Sequence, residues 1–233
     1  EYPLYQPHAG WAEQDPSDWW TAVKKTLAAV LGACRRIDAV GITGQMHGLV
    51  MLDEKGNPLR RAIIWCDQRT SAECSEITRL VGEDNLMRVT ASPARTGFTA
   101  SKLLWVRNNQ PELYRKCRHI LLPKDYIRYR LTGAFASDLS DASGTQLLDI
   151  RGRCWSEEVT RALGIDQEWL APLFESPEIT GRVTLQAAEE IAAEAALVGL
   201  TREKVKNESK NVPSGKNIAS AETVLRRKTI LTA

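Results

Sequence analysis

An α/β domain with a mixed sheet flanked by helices is the fold class predicted for these 233 residues, on three observations. Short apolar runs of strand length alternate with longer segments whose apolar residues recur every three or four positions. Two of the strand-like runs face each other across a turn-rich segment, which adds an antiparallel pair to that alternation. Hydrophobic residues make up 43% and charged residues 26%, a balance that supports a packed core and excludes a collagen-like, disordered or disulfide-scaffold chain.

The first helix is expected over residues 16–33. Asp15 is placed to cap it, Pro16 suits its first position, and Asp18 puts negative charge at the positive end of its dipole. Trp20, Val23, Leu27 and Val30 then share one face. Ala39-Val40-Gly41-Ile42 reads as a buried strand, and residues 49–52 and 59–65 as hairpin arms around Asp53-Glu54-Lys55-Gly56-Asn57-Pro58. Helices follow over 71–81 and 99–108, the second stopped by Pro111. A short helix over 112–117 leads to the apolar run Ile120-Leu121-Leu122, and residues 125–131 are helical with Gly133 placed to end them. Residues 156–163 begin on Ser156 as a cap and stop at Gly164, and residues 184–198 form an Ala/Glu-rich amphipathic helix.

The composition changes after residue 200. All seven Trp lie at or before Trp169, and Val205 and Val212 are the apolar side chains of residues 201–217. Such a stretch buries too little surface to offset its ordering entropy, so a disordered linker or basic tail is expected over 200–233.

The net charge of +2 combines +5 over residues 201–233 with −3 over the rest. A mildly acidic body lacks the clustered basic face that phosphates need, and the tail has no aromatic residue to stack on a base, so no nucleic-acid partner is expected. Five cysteines without a Cys-x-x-Cys read as free thiols in a reducing, cytoplasmic setting. No apolar run reaches the ~18 residues a membrane helix requires, so no membrane partner is expected. The opening Glu1-Tyr2-Pro3-Leu4 has neither an initiating Met nor a signal-peptide pattern, which suggests processing or a fragment.

Gly44-Gln45-Met46-His47-Gly48 is the foremost candidate site. It follows a buried strand, and ligands of α/β sheets bind beyond the carboxyl ends of strands. Gln45 and His47 offer amide and imidazole hydrogen bonds and Met46 a soft apolar wall, a mixture suited to a polyol or sugar. The same pentapeptide also suits a structural turn with a satisfied histidine. Trp65-Cys66-Asp67-Gln68-Arg69 could stack on and bond to a sugar, or hold an Asp67/Arg69 surface pair beside a core Trp. Lys102 sits on a helix, where lysine is ordinarily solvated. Asp138-Leu139-Ser140-Asp141-Ala142-Ser143-Gly144-Thr145 reads as a loop held by side-chain bonds to backbone, since it lacks the pattern of a calcium loop. No Gly-x-x-x-x-Gly-Lys-Ser/Thr, Gly-x-Gly-x-x-Gly or Gly-x-Ser-x-Gly occurs.

Together these residues resemble the xylulokinases of the FGGY carbohydrate kinase family. Gly41-Ile42-Thr43-Gly44-Gln45-Met46-His47-Gly48 is similar to their substrate loop. The segment from Gly97-Phe98-Thr99-Ala100-Ser101-Lys102 through Leu103-Leu104-Trp105-Val106-Arg107-Asn108-Asn109 fits the family's first signature. Trp11-Ala12-Glu13-Gln14-Asp15-Pro16, Leu122-Pro123-Lys124-Asp125-Tyr126 and Ser137-Asp138 with Ser140-Asp141-Ala142-Ser143-Gly144-Thr145 follow in the same order, and the likeness runs to about residue 185.

The resemblance implies a ribonuclease-H-like, actin-like ATPase fold, of which residues 1–199 would be an N-terminal sugar-binding domain without its first β-hairpin. It implies D-xylulose as the substrate, with Met46 and His47 as substrate-binding residues, no catalytic residue in this chain, and no metal ligand. ATP and Mg²⁺ are implied for the full-length enzyme, with phosphate loop, catalytic Asp and nucleotide domain lying outside these residues, so the isolated chain is expected to be inactive. A homodimer of the full-length parent is also implied. The alternatives are a non-catalytic sugar-binding or interaction module, or part of a related FGGY kinase for another sugar.

Overall fold

A computed structural model describes residues 1–33, 37–197 and 229–232. In chain order these residues form β1 (Glu13–Gln14), α1 (Pro16–Ala33), β2 (Val40–Thr43), β3 (Val50–Leu52), β4 (Ala62–Ile63), α2 (Ser71–Val81) and α3 (Glu83–Thr90). Then come α4 (Thr99–Asn109), α5 (Pro111–Lys116), β5 (His119–Leu121), α6 (Pro123–Thr132), β6 (Ser137–Asp138), α7 (Leu139–Ala142), β7 (Leu148–Asp149) and β8 (Cys154–Trp155). The rest are α8 (Glu157–Leu163), β9 (Leu173–Phe174), α9 (Leu185–Leu197) and β10 (Thr229–Thr232).

The capping residues behave as their chemistry dictates. Asp15 Oδ1 accepts from Ser17 N at 2.9 Å at the start of α1, and Ser156 Oγ accepts from Val159 N at 3.2 Å at the start of α8. Gly133 and Gly164 take the left-handed conformation that ends α6 and α8.

The expected hairpin is present but is drawn into a larger sheet. Its turn is held by Asp53, whose Oδ1 accepts from Lys55 N at 2.9 Å and Asn57 N at 2.8 Å. Antiparallel bridges Leu49↔Ile63 and Leu52↔Pro58 join its arms. The regular ladders run elsewhere: β4 pairs antiparallel with β1, and β3 pairs antiparallel with β5, in the register Val50↔Leu121. The order is therefore β1-β4-β3-β5, with a parallel bridge Ile120↔Leu170 beyond.

Both faces of this sheet are buried, and the strand period of two sorts its side chains. Val50, Leu52, Ala62 and Leu121 enter a core with Trp20, Leu27, Tyr126 and Ile191, from α1, α6 and α9. Leu49, Met51, Ile63 and Ile120 enter a second core with Ile77, Leu86, Leu103, Leu104 and Val159, from α2, α3, α4 and α8. Helix α4 lies deep in this second layer, with all residues from Thr99 to Val106 buried.

Strand β2 pairs in parallel with β10, in the register Val40↔Thr229. Apart from β10, the tail over 200–233 lies outside the described residues, as does Cys34. Cys66, Cys74, Cys117 and Cys154 are free thiols. Among the described residues no helix is long and apolar enough to cross a membrane.

Candidate functional site

The loop from β2 to β3 carries Gln45, Met46, His47 and Gly48. His47 sits at φ 67°, in the left-handed region, so its ring and carbonyl are aimed by a conformation that side chains other than glycine seldom take. Its ring is held on two sides. Phe98, which precedes α4, stacks on it with centroids 4.8 Å apart and planes inclined by 29°. The carbonyl oxygen of Gly144 lies 3.0 Å from Nδ1. A carbonyl only accepts, so this contact calls for a proton on Nδ1, and in that tautomer of the imidazole Nε2 is the acceptor.

Gly144 is required at this contact. A Cβ there would stand 2.2 Å from the His47 ring and 3.1 Å from Met46 Cε, so both side chains pack on its bare backbone. Gly48 is equally confined, because a Cβ would lie 2.6 Å from Pro123 Cγ. Beside them, Gln45 Nε2 donates to Gln14 Oε1 at 2.8 Å, and that oxygen also accepts from Trp19 Nε1 at 3.1 Å. Gln45 Oε1 is buried without a hydrogen-bond partner in the protein.

The carbonyl of His47 is held from α4. Thr99 Oγ1 and Lys102 Nζ each donate to it at 3.1 Å. Lys102 also donates to the carbonyls of Gly97 and Phe98, the latter at 3.4 Å. The expectation of a solvated lysine is corrected here: Lys102 is fully buried. Burial, outweighing the charge of Asp67, pulls its ammonium down to a pKa of about 7.

The Trp65–Arg69 segment inverts its expected arrangement. Trp65 is 56% exposed, whereas Asp67 is fully buried and the Arg69 side chain is 1% exposed. Arg69 pairs with Asp67, Nε to Oδ1 at 2.9 Å and Nη2 to Oδ2 at 2.7 Å, and reaches Glu13 at 2.8 Å. Its guanidinium lies 3.6 Å from the Trp11 ring centroid and 4.8 Å from that of Trp105. Asp67 Oδ2 also accepts from Ala12 N at 2.6 Å. These groups are consumed in joining β1 to the segment after β4, and no free carboxylate is left for a ligand.

The polar run after residue 137 is helical rather than a loop. Asp138 Oδ1 caps α7 by accepting from Asp141 N at 3.0 Å, and Ser143 and Thr145 bond back to the carbonyls of Ser140 and Ala142, each at 2.6 Å. Its carboxylates grip Lys124, with Asp141 at 2.7 Å and Asp138 in direct contact, and Asp125 of α6 lies 3.5 Å from the same ammonium. A lysine thus occupies the place a cation would take, and among the described residues no group of three or more His, Cys, Asp and Glu could hold a metal ion.

The sequence singles out Met46 and His47 as candidates, but not Gly144, Thr99, Lys102 and Phe98 as the groups packed and bonded against them. A signal for Lys102 was available: it is the one charged residue in an otherwise uncharged stretch from Phe98 to Val106 that has no exposed helical face.

The chain is similar to known proteins over most of its length. Residues 1–201 match the N-terminal domain of the FGGY family of carbohydrate kinases. The chain is 42% identical over 187 residues to the xylulose kinase of Escherichia coli (strain K12), covering 79% of this chain and 38% of that protein. It is 39% identical over 205 residues to the xylulose kinase of Bacillus subtilis (strain 168), covering 86% and 40%. The fold resembles the crystal structure of a xyloylose kinase from Brucella ovis, at a TM-score of 0.77 and 36% identity over 82% of this chain and 40% of that one. The chain thus spans about two-fifths of the length of the curated relatives it matches.

Proposed function

The chain belongs to the FGGY family of carbohydrate kinases, with their actin-like fold, and from that premise we propose that it is the sugar-binding part of an ATP-dependent D-xylulose kinase. The observation that carries the reading is His47, its Nδ1–H spent on Gly144 and its Nε2 left to accept from a hydroxyl, with the Met46 thioether beside it. Met46 covers a C–H face of the sugar, and His47 orients a hydroxyl. The buried, unpartnered Gln45 Oε1 is a further acceptor suited to a polyhydroxylated ligand.

Residues 1–199 act as the sugar-binding domain. In the whole enzyme the reaction moves a phosphoryl group from ATP, with Mg²⁺, to a D-xylulose hydroxyl, and the product is D-xylulose 5-phosphate. The part of these residues is to bind and align the acceptor hydroxyl. The 233-residue chain alone binds sugar without turning over ATP, and the full-length parent is a cytoplasmic homodimer that engages neither nucleic acid nor membrane.

Calorimetry of the 233-residue chain with D-xylulose tests the reading. Saturable binding is expected, weakened at least about tenfold in Met46→Ala and in His47→Ala, the loss of one well-placed hydrogen bond or apolar contact. No heat at millimolar sugar from a chain that melts cooperatively would refute it. Stronger binding of D-ribulose or L-ribulose would reassign the sugar while keeping the family.

A further inference from the structure

We propose that the first turn of α4 is the positioning element of this site: Thr99 and Lys102 clamp the His47 carbonyl and so hold the imidazole at the angle the sugar requires. The inference rests on the sugar-binding reading of His47 and adds two residues that do not touch sugar themselves.

Thr99 and Lys102 stand three residues apart on α4, hence on one face, and their donors converge on a single oxygen at 3.1 Å each. That oxygen belongs to a residue at φ 67°, a conformation that needs external support. Phe98 adds the stacked ring, so one helical turn holds His47 by both backbone and side chain. The Lys102 ammonium has three protons and meets three carbonyls, those of His47, Gly97 and Phe98. No carboxylate is among these partners. A lysine serving only to fill space or neutralise an acid would carry no such set, because burying an ammonium without a bonded counter-charge is costly. Its placement is explained by the loop it fastens.

Thr99 gives the cleanest test, since Thr99→Val keeps shape and removes the donor, whereas Thr99→Ser keeps the hydroxyl. D-Xylulose affinity is expected to fall three- to tenfold in Thr99→Val, to stay within twofold in Thr99→Ser, and to fall ten- to a hundredfold in Lys102→Met. A second readout needs no sugar. Imidazole ¹⁵N shifts of the unsubstituted chain should show a protonated Nδ1 at His47, and Thr99→Val and Lys102→Met should both shift that signal toward averaged tautomers while Thr99→Ser does not.

Unchanged imidazole shifts in Thr99→Val, or affinity within twofold of the unsubstituted chain, would overturn the clamp. If Lys102→Met fails to fold, the Thr99→Val and Thr99→Ser pair still decides. If the unsubstituted chain binds no D-xylulose, the sugar reading falls, and the imidazole shifts alone decide whether α4 positions His47.

Discussion

Two buried lysines, one on α4 and one on α6, show how differently the same residue is accommodated on the two faces of this sheet. Lys124 is 7% exposed and lies among three carboxylates, Asp125, Asp138 and Asp141. Burial acts to lower its pKa, but those carboxylates outweigh it and hold the ammonium above its ordinary value. Lys102 is fully buried and bonded to carbonyl oxygens alone, and burial brings it down to about 7. The α6 network sets Lys124 and Arg128 against three carboxylates, Arg128 also pairing with Asp125, and serves to join α6 to α7. The α4 lysine is held at an electrostatic cost, and what it gains is the geometry of a loop that carries the candidate sugar residues.

The largest difference is expected on breaking each arrangement. Lys124→Met leaves Asp138 and Asp141 without the cation they share, while Asp125 keeps Arg128, so a loss of roughly 3 kcal/mol is expected in urea unfolding, the usual scale for a buried pair that loses one partner. Lys102→Met removes an ill-solvated charge while leaving carbonyls without a donor, two effects of opposite sign. Its stability at pH 7 should therefore change by under about 1 kcal/mol. A larger loss for Lys102→Met than for Lys124→Met would contradict the contrast.

The pH dependence sharpens it, because the two lysines act with opposite sign. For Lys102 the folded pKa of about 7 lies below the ordinary 10.5, so the unfolded chain binds the extra proton between those values and stability rises with pH across that window. One proton gives at most about 1.4 kcal/mol per pH unit, and Lys102→Met should flatten that slope. Lys124, raised in the folded state, contributes stability that is fully present below 10.5 and is lost as pH climbs through its folded value. Denaturant melts between pH 6.5 and about 10 should show the rising slope flattened in Lys102→Met and kept in Lys124→Met.

Within the α6 network the smaller effect is expected at Asp141, whose side chain is 19% exposed and whose role at Lys124 is shared with two other carboxylates. Asp141→Asn should cost about 0.5–1 kcal/mol by the same unfolding measurement, a partly screened pair being worth little. A cost as large as that of Lys124→Met would mean that Asp141 alone carries the network.

Much of the fold was legible in local sequence. Helix α2 runs over the residues its periodicity predicts, and α1, α6 and α8 end where Asp15, Gly133, Ser156 and Gly164 place their caps. Helix α3 went unread because only Gly82 separates it from α2, and a single glycine within an amphipathic stretch does not announce a second axis. The hairpin was read correctly as an antiparallel pair, but its outer partners β1 and β5 could not be, since strand neighbours are chosen by which apolar faces meet across the core.

The candidate site divides in the same way. Met46 and His47 are recognisable within a single pentapeptide bounded by glycines, because a turn at the end of a strand is written in adjacent residues. Whether His47 is poised or merely satisfied depends on Gly144, 97 residues away, and on Lys102, 55 residues away. The sequence by itself determined the elements, their caps, the polar loop and the likeness to sugar kinases, all of which follow from neighbours within a few positions. Only the tertiary structure decided that Lys102 is buried, that Asp67 and Arg69 are internal while Trp65 is exposed, and that His47 Nδ1 meets the Gly144 carbonyl. Those outcomes depend on desolvation and on hydrogen-bond partners brought together by packing, and neither is encoded in any local pattern.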